Sequence, residues 1–225
     1  MRILLIPGHG AGDPGAVALG LQEQNLTREL VQLINKKLLP YAVVDVFDTS
    51  ANMYKRLKSG YPFNFKAYDY VLEVHFNAFD TKANGVEILV HTSEEGTSVE
   101  QTIVDNIAAL GFKNRGVKPR NDLLVMNTCK KSQGVSYALL ETCFIDSLND
   151  INKYLPNKET VALAIVDGIV DGFGLRKAAI NTLTTEQAID KLVKAGIIDT
   201  PDYWLKAVKS VEHLDTLIIK FAKTL

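Results

Sequence analysis

The chain has 225 residues, 47% hydrophobic and 23% charged, with a formal net charge of −1. That balance is ordinary for a globular protein and argues against a general polyanion binder such as a nucleic-acid coat. No apolar run reaches the roughly 18 residues of a membrane span, and two cysteines, Cys129 and Cys143, cannot supply a disulfide framework.

Met1–Pro7 lacks the basic segment and longer apolar stretch of a secretory signal and reads as a buried first strand. Synthesis in a reducing cytoplasm, without a signal peptide, is therefore expected, with both thiols free and packed. Strands are predicted at Arg2–Pro7, Ala42–Phe47, Tyr68–His75, Gly85–His91, Asp122–Met126 and Ser136–Glu141. Helical spacing of apolar residues predicts helices at Glu23–Leu39, at Val99–Leu110 with Ser98 as its cap, and at Lys158–Gly172. Strands alternating with helices predict an α/β fold: a twisted, mostly parallel sheet flanked by helices.

Beyond Gly172-Phe173-Gly174 the strand signals stop. Thr184–Lys194 is predicted as an amphipathic helix that Thr184 and Thr185 cap and Gly196 ends. Thr200-Pro201 opens a second helix, and about Val211–Lys223 forms a third. Residues 1–175 are thus expected to form one domain and 180–225 a small all-α C-terminal module.

Residues suited to metal and proton chemistry recur at the ends of predicted strands: His9 after the first, His75 on the third, Glu141 on the last. Ligands of open α/β sheets gather at these carboxyl ends. Glu23 opens the first helix, where a carboxylate can swing back to the same place. Pro7-Gly8-His9-Gly10, Asp13-Pro14-Gly15-Ala16, Gly20–Glu23 with Leu26-Thr27, His75-Phe76-Asn77-Ala78, Arg115-Gly116-Val117-Lys118 with Asp122-Leu123, and Leu139-Leu140-Glu141 with Phe144-Ile145 follow in order. Together they resemble the zinc-dependent N-acetylmuramoyl-L-alanine amidase family across about residues 1–174.

The resemblance implies a zinc ion (Zn2+) on His9, Glu23 and His75, with a fourth position left for water or substrate. It implies Glu141 as the proton carrier and peptidoglycan as substrate, cut between the lactyl group of muramic acid and L-alanine. No nucleic-acid partner and no membrane insertion are expected. A phage or prophage endolysin, acting on the wall after release from the host cytoplasm, is the leading reading. An autolysin of the same chemistry and a zinc peptidase cutting peptide crosslinks are the alternatives.

Several residues keep two readings. Glu73 stands where the family commonly has serine; it either orients His75 or replaces Glu23 as a ligand. Phe76, in place of the family's usual small residue, is expected to narrow the groove. Asn77 is a substrate contact or a loop tie, while Asp13 is expected to cap its Asp-Pro-Gly turn. His91 and His213 read as packing or surface residues, and Lys130-Lys131 as a solvated turn. Tyr203 and Trp204 are a sugar platform or helix packing, and the module itself targets the wall or pairs two copies as a homodimer.

Overall fold

The computed structural model describes residues 1–176, 185–211 and 214–222, apart from the side chains of Thr216 and Lys220. The chain divides into two compact units, Met1–Ala178 and Ala179–Leu225.

The first unit begins with β1 (Arg2–Pro7), the short hairpin of β2 (Val17–Ala18) and β3 (Leu21–Gln22), and α1 (Glu23–Leu38). Then come β4 (Val43–Val46), α2 (Met53–Lys58), β5 (Tyr70–Asn77), β6 (Val86–His91), α3 (Ser98–Ala108), β7 (Asn114–Arg120) and α4 (Leu124–Met126). β8 (Ser136–Phe144), α5 (Leu148–Tyr154) and α6 (Lys158–Gly172) complete it. Six strands form one sheet in the order β4-β1-β5-β8-β6-β7, antiparallel only between β6 and β8. The expected mostly parallel α/β sheet is therefore present. Because β4 and β5 lie on opposite sides of β1, a crevice opens beyond the ends of β1 and β5, the usual ligand position in such sheets.

The apolar run of β1 is continuous because both faces are covered. Ile3 and Leu5 pack in one core with Leu30, Ile34, Leu72, Ile103 and Ile165, the core beneath α1, α3 and α6. Leu4 and Ile6 pack in a second core with Phe47, Met53, Phe65, Val125 and Met126, mostly from short segments. The three long helices thus leave the second face thinly roofed, and the polar groups described below emerge there.

Four elements differ from the sequence-based expectation. Asp122–Met126 is not a strand: Leu124–Met126 is a helical turn whose Val125 and Met126 pack into the second core. The sixth strand is instead β7, an edge strand carrying Arg115, Lys118, Pro119 and Arg120. Charges and proline are common devices on edge strands and erase the apolar alternation. Ser98 is not the cap of α3; that position is Thr97, and its side chain makes no capping bond. β8 does not close at Glu141 but continues to Phe144.

In the second unit α7 (Thr185–Lys194), α8 (Pro201–Ala207) and α9 (Leu214–Ala222) share a small core. Ala188, Ile189 and Leu192 of α7 are buried with Ile218 and Ala222 of α9. Gly196 adopts a φ of +69°, which lets the chain turn after α7, and Pro201 sits in the first turn of α8. Trp204 packs against this core while Tyr203 is exposed. Thr184, His213 and Lys223 lie outside the described residues.

Candidate active site

The loop after β1 is built around backbone that few residues tolerate. His9 has a φ of +62° and Gly15 of +67°. For a side chain such as histidine the left-handed region costs on the order of 1 kcal/mol or more, so the loop needs external ties. Arg28 of α1 supplies them: Nη1 donates to the Gly8 carbonyl (2.9 Å) and Nη2 to those of His9 (2.9 Å) and Ala51 (3.2 Å). Thr27 Oγ1 donates to the Gly8 carbonyl at 2.9 Å. Glycine is obligatory at two contacts. A Cβ on Gly8 would lie 2.4 Å from the His75 ring, and one on Gly15 would lie 2.6 Å from Glu23 Oε2.

These constraints bring His9, Glu23 and His75 together. One donor atom from each lies within 4.8 Å of the others. Glu23 sits between the imidazoles, with Oε2 3.0 Å from His9 Nε2 and Oε1 3.0 Å from His75 Nδ1. The backbone nitrogens of Ala16 and Phe76 donate to Oε2 and Oε1 at 2.9 and 3.0 Å, so its orientation is fixed. Burial pushes the Glu23 pKa up, but hydrogen bonds from His75 and His9 outweigh it and hold the carboxylate well below its ordinary range.

Each imidazole turns its second nitrogen to a different carboxylate. His9 Nδ1 lies 3.0 Å from Asp13 Oδ2, and His75 Nε2 lies 3.2 Å from Glu73 Oε1. Asp13 also caps its turn by accepting from the Gly15 nitrogen (3.1 Å), and Asn52 Nδ2 donates to it at 3.2 Å. Glu73 is buried and accepts a hydrogen bond from the Tyr137 hydroxyl. Burial lowers the pKa of both imidazoles; carboxylates reverse that, Glu23 for His9, Glu23 and Glu73 for His75.

Glu141 is the in-register partner of His75 across the parallel β5–β8 pair. Its Oε2 is buried and has no hydrogen-bond partner. Burial pushes its pKa up to about 7; His75 opposes this, while Glu23 and Glu87 add to it. A carboxyl group poised there exchanges protons readily at neutral pH. Asn77, the remaining predicted site residue, donates from Nδ2 to Glu87 Oε1 at 3.1 Å and accepts from the Ala78 nitrogen. A cleft of about 320 Å³ adjoins the cluster, lined by His9, Asp13, Asn52, Glu73, His75 and Leu123 among others.

The donor set fits a divalent metal ion on its chemistry. Asp13, Glu23, Glu73 and Glu141 surround only two imidazoles, an excess of negative charge that a cation would relieve. Glu23 oxygens lie 3.0 Å from one nitrogen of each imidazole, and a donor atom from each residue falls within 4.8 Å of the others, so the three could share one divalent ion. An outer carboxylate on each histidine selects the tautomer whose other nitrogen faces the cluster.

Residues 3–171 match a family model described as N-acetylmuramoyl-L-alanine amidase. The chain belongs to the N-acetylmuramoyl-L-alanine amidase family. It is 29% identical to the Staphylococcus aureus protein named "Probable autolysin PH" over 184 residues, 75% of this chain and 38% of that one. It is 30% identical to the N-acetylmuramoyl-L-alanine amidase LytC of Bacillus subtilis over 176 residues, 75% of this chain and 34% of that one. The chain therefore spans little more than a third of either of these two amidase-family relatives. Among solved structures, the catalytic domain of CD27L, an endolysin targeting Clostridium difficile, superposes with a TM-score of 0.63 at 23% identity. That match covers 76% of this chain and 97% of the CD27L domain.

Three features of this family member were not anticipated. Phe76 does not narrow the groove: alternation turns it to the helix-covered face, where it is buried with its ring edge-on to Tyr154 at 4.9 Å. Arg28 and its carbonyl clamp left no short sequence signal. Glu87 did leave one, a lone carboxylate inside the apolar run Val86–Val90. His91 keeps to local packing, with Nδ1 2.7 Å from Ser93 Oγ, while Lys130 pairs with Glu94 at 2.9 Å rather than standing free in solvent. Cys129 and Cys143 are buried free thiols.

Proposed function

We propose that this chain is a zinc-dependent amidase that hydrolyses the bond between the lactyl group of muramic acid and L-alanine in peptidoglycan. The convergence of His9, Glu23 and His75 beside the unpartnered buried oxygen of Glu141 carries the reading. His9 Nε2, a Glu23 oxygen and His75 Nδ1 would hold the ion. When bound, zinc supplies a Lewis acid that polarises the scissile carbonyl and acidifies a water molecule.

The side chains do the rest. Glu141 accepts the proton of the attacking water and returns it to the leaving amine of alanine. Glu73 and Asp13 hold the imidazoles in one tautomer, and Arg28 keeps the His9 loop in its strained conformation. Asn77 braces Glu87, next to Glu141 on the sheet. In this reading residues 1–175 are the catalytic domain, and 180–225 form a module that holds the enzyme at the wall and raises its local concentration there. The enzyme reaches its substrate at the cell wall, as an endolysin or an autolysin does.

Glu141→Ala tests the assignment on purified murein. Zinc content should equal wild type, and turnover should fall about 10²–10⁴-fold. Wild-type digestion should stop with a chelator and release alanine amino termini without new reducing sugars. Crosslink amino groups in their place would make the chain a zinc peptidase. Digestion that ignores chelators would remove the metal.

A further inference from the structure

The sheet face that carries His75 and Glu141 continues into a second charged group. Glu87 on β6 pairs in register with Glu141 across the antiparallel ladder, and residues so opposed project to the same side. The Glu87 carboxylate is buried and fully engaged. Oε1 accepts from Asn77, while Oε2 accepts from Arg115 Nε (2.6 Å) and from Lys118 Nζ.

One cation would neutralise Glu87; two leave the group at +1. Arg115 uses one of five N–H donors on Glu87, and Lys118 one of three. Both side chains stay partly exposed, at 25% and 43%. The Arg115 guanidinium lies over the Phe144 ring, 4.9 Å from its centroid, a cation–π contact that helps to hold it in place. Glu87, one strand from Glu141, therefore acts as a brace that holds two cations of β7 with unspent donors.

We propose that Arg115 and Lys118 form an anion subsite that takes a carboxylate of the substrate's peptide, one residue beyond the scissile amide. This rests on the amidase reading. In a stem peptide, L-alanine is followed by glutamate joined through its γ-carboxyl, which leaves an α-carboxylate either free or amidated. Neighbouring strands are about 4.8 Å apart and successive Cα atoms about 3.8 Å, so a step of one residue along the peptide matches the step from Glu141 to the Glu87 brace. The subsite would make the enzyme discriminate between free and amidated stems.

The test uses two synthetic muramoyl tripeptides that differ only there: muramoyl-L-alanyl-γ-D-glutamyl-L-lysinamide with the glutamate α-carboxylate free, and the same compound with that group as its amide. Zinc-loaded wild-type protein should favour the acid about tenfold in kcat/KM, the difference between a charge-assisted and a neutral hydrogen bond. The ratio should fall towards one in Lys118→Gln and Arg115→Gln, mainly through KM, and Arg115→Lys should restore part of it. Calorimetry of the free peptide L-alanyl-γ-D-glutamyl-L-lysinamide gives a reading independent of turnover: binding in wild type, lost in Lys118→Gln. Arg115 and Asn77 still hold Glu87 in this variant, so it should stay folded at the assay temperature, which its melting curve checks.

Cleavage of both compounds at equal rates by wild type would overturn the subsite and leave the amidase intact. Cleavage of neither, with peptide binding still dependent on Lys118, would overturn the amidase reading and keep the subsite.

Discussion

Glu73→Gln isolates the part of the site that departs from the family's usual serine. In the wild-type chain Glu73 is buried, with Oε1 3.2 Å from His75 Nε2 and Oε2 accepting from the Tyr137 hydroxyl. Glutamine keeps the shape and one acceptor, so the imidazole can stay in place while the charge behind it disappears. A hydrogen bond to a charged group is worth roughly 1.5–3 kcal/mol against 0.5–1.5 for a neutral one. The loss is then about 1–2 kcal/mol, a factor of about 5–30 in an equilibrium constant. Outer partners of metal-bound histidines have a range of about 10–100-fold, which overlaps this estimate. Competition with a chromophoric chelator at neutral pH reads the zinc affinity directly and needs no substrate. Zinc should bind about 5–30-fold more weakly in the variant, while the melting temperature measured with excess chelator stays close to wild type. An affinity within twofold of wild type would refute the idea that the Glu73 charge sustains His75 as a ligand.

Two further outcomes follow from the packing and charge of the catalytic unit. Burial raises the pKa of Glu87, but hydrogen bonds from Lys118 and Arg115 outweigh this and hold it below the ordinary value. A depressed carboxylate stabilises the fold above its unfolded pKa of about 4.3 and loses that contribution as pH falls through its folded value. Urea titrations between pH 6 and pH 3 should therefore show a smaller acid-induced loss in Glu87→Gln than in wild type; parallel curves would exclude the linkage. At the contact of α3 and α6, a Cβ on Gly168 would lie 2.6 Å from Ile103 Cγ1 and 2.8 Å from its backbone nitrogen. Gly168→Val should accordingly lose about 1–3 kcal/mol by overpacking, visible as a lower urea midpoint, and an unchanged midpoint would mean the helices part freely.

The parts of this protein legible in its sequence are those whose physics is local. Ile3–Ile6 announces a strand covered on both faces, and His75 and Glu141 stand near strand ends because ligands gather there. Glu23 was visible as the first residue of α1, just beyond the glycine-rich loop. What stayed hidden depends on partners distant along the chain. The apolar run Leu123–Met126 suits a strand or a helical turn equally, and only the second core, which takes Val125 and Met126 together, decides for the turn.

β7 went unread for a reason tied to its work. A strand that places Arg115 and Lys118 on one carboxylate must interrupt its own apolar pattern, and an edge position lets it do so without unbalancing the core. Arg28 was hidden differently. Four of its acceptors are backbone carbonyls of residues 8, 9, 49 and 51, and a carbonyl is present whatever the side chain, so a clamp of this kind leaves no trace in residue types. The His9 loop shows why such a clamp is needed. A histidine at φ +62° is uphill in isolation, and its three-dimensional position follows from bonds made by a helix nineteen residues away.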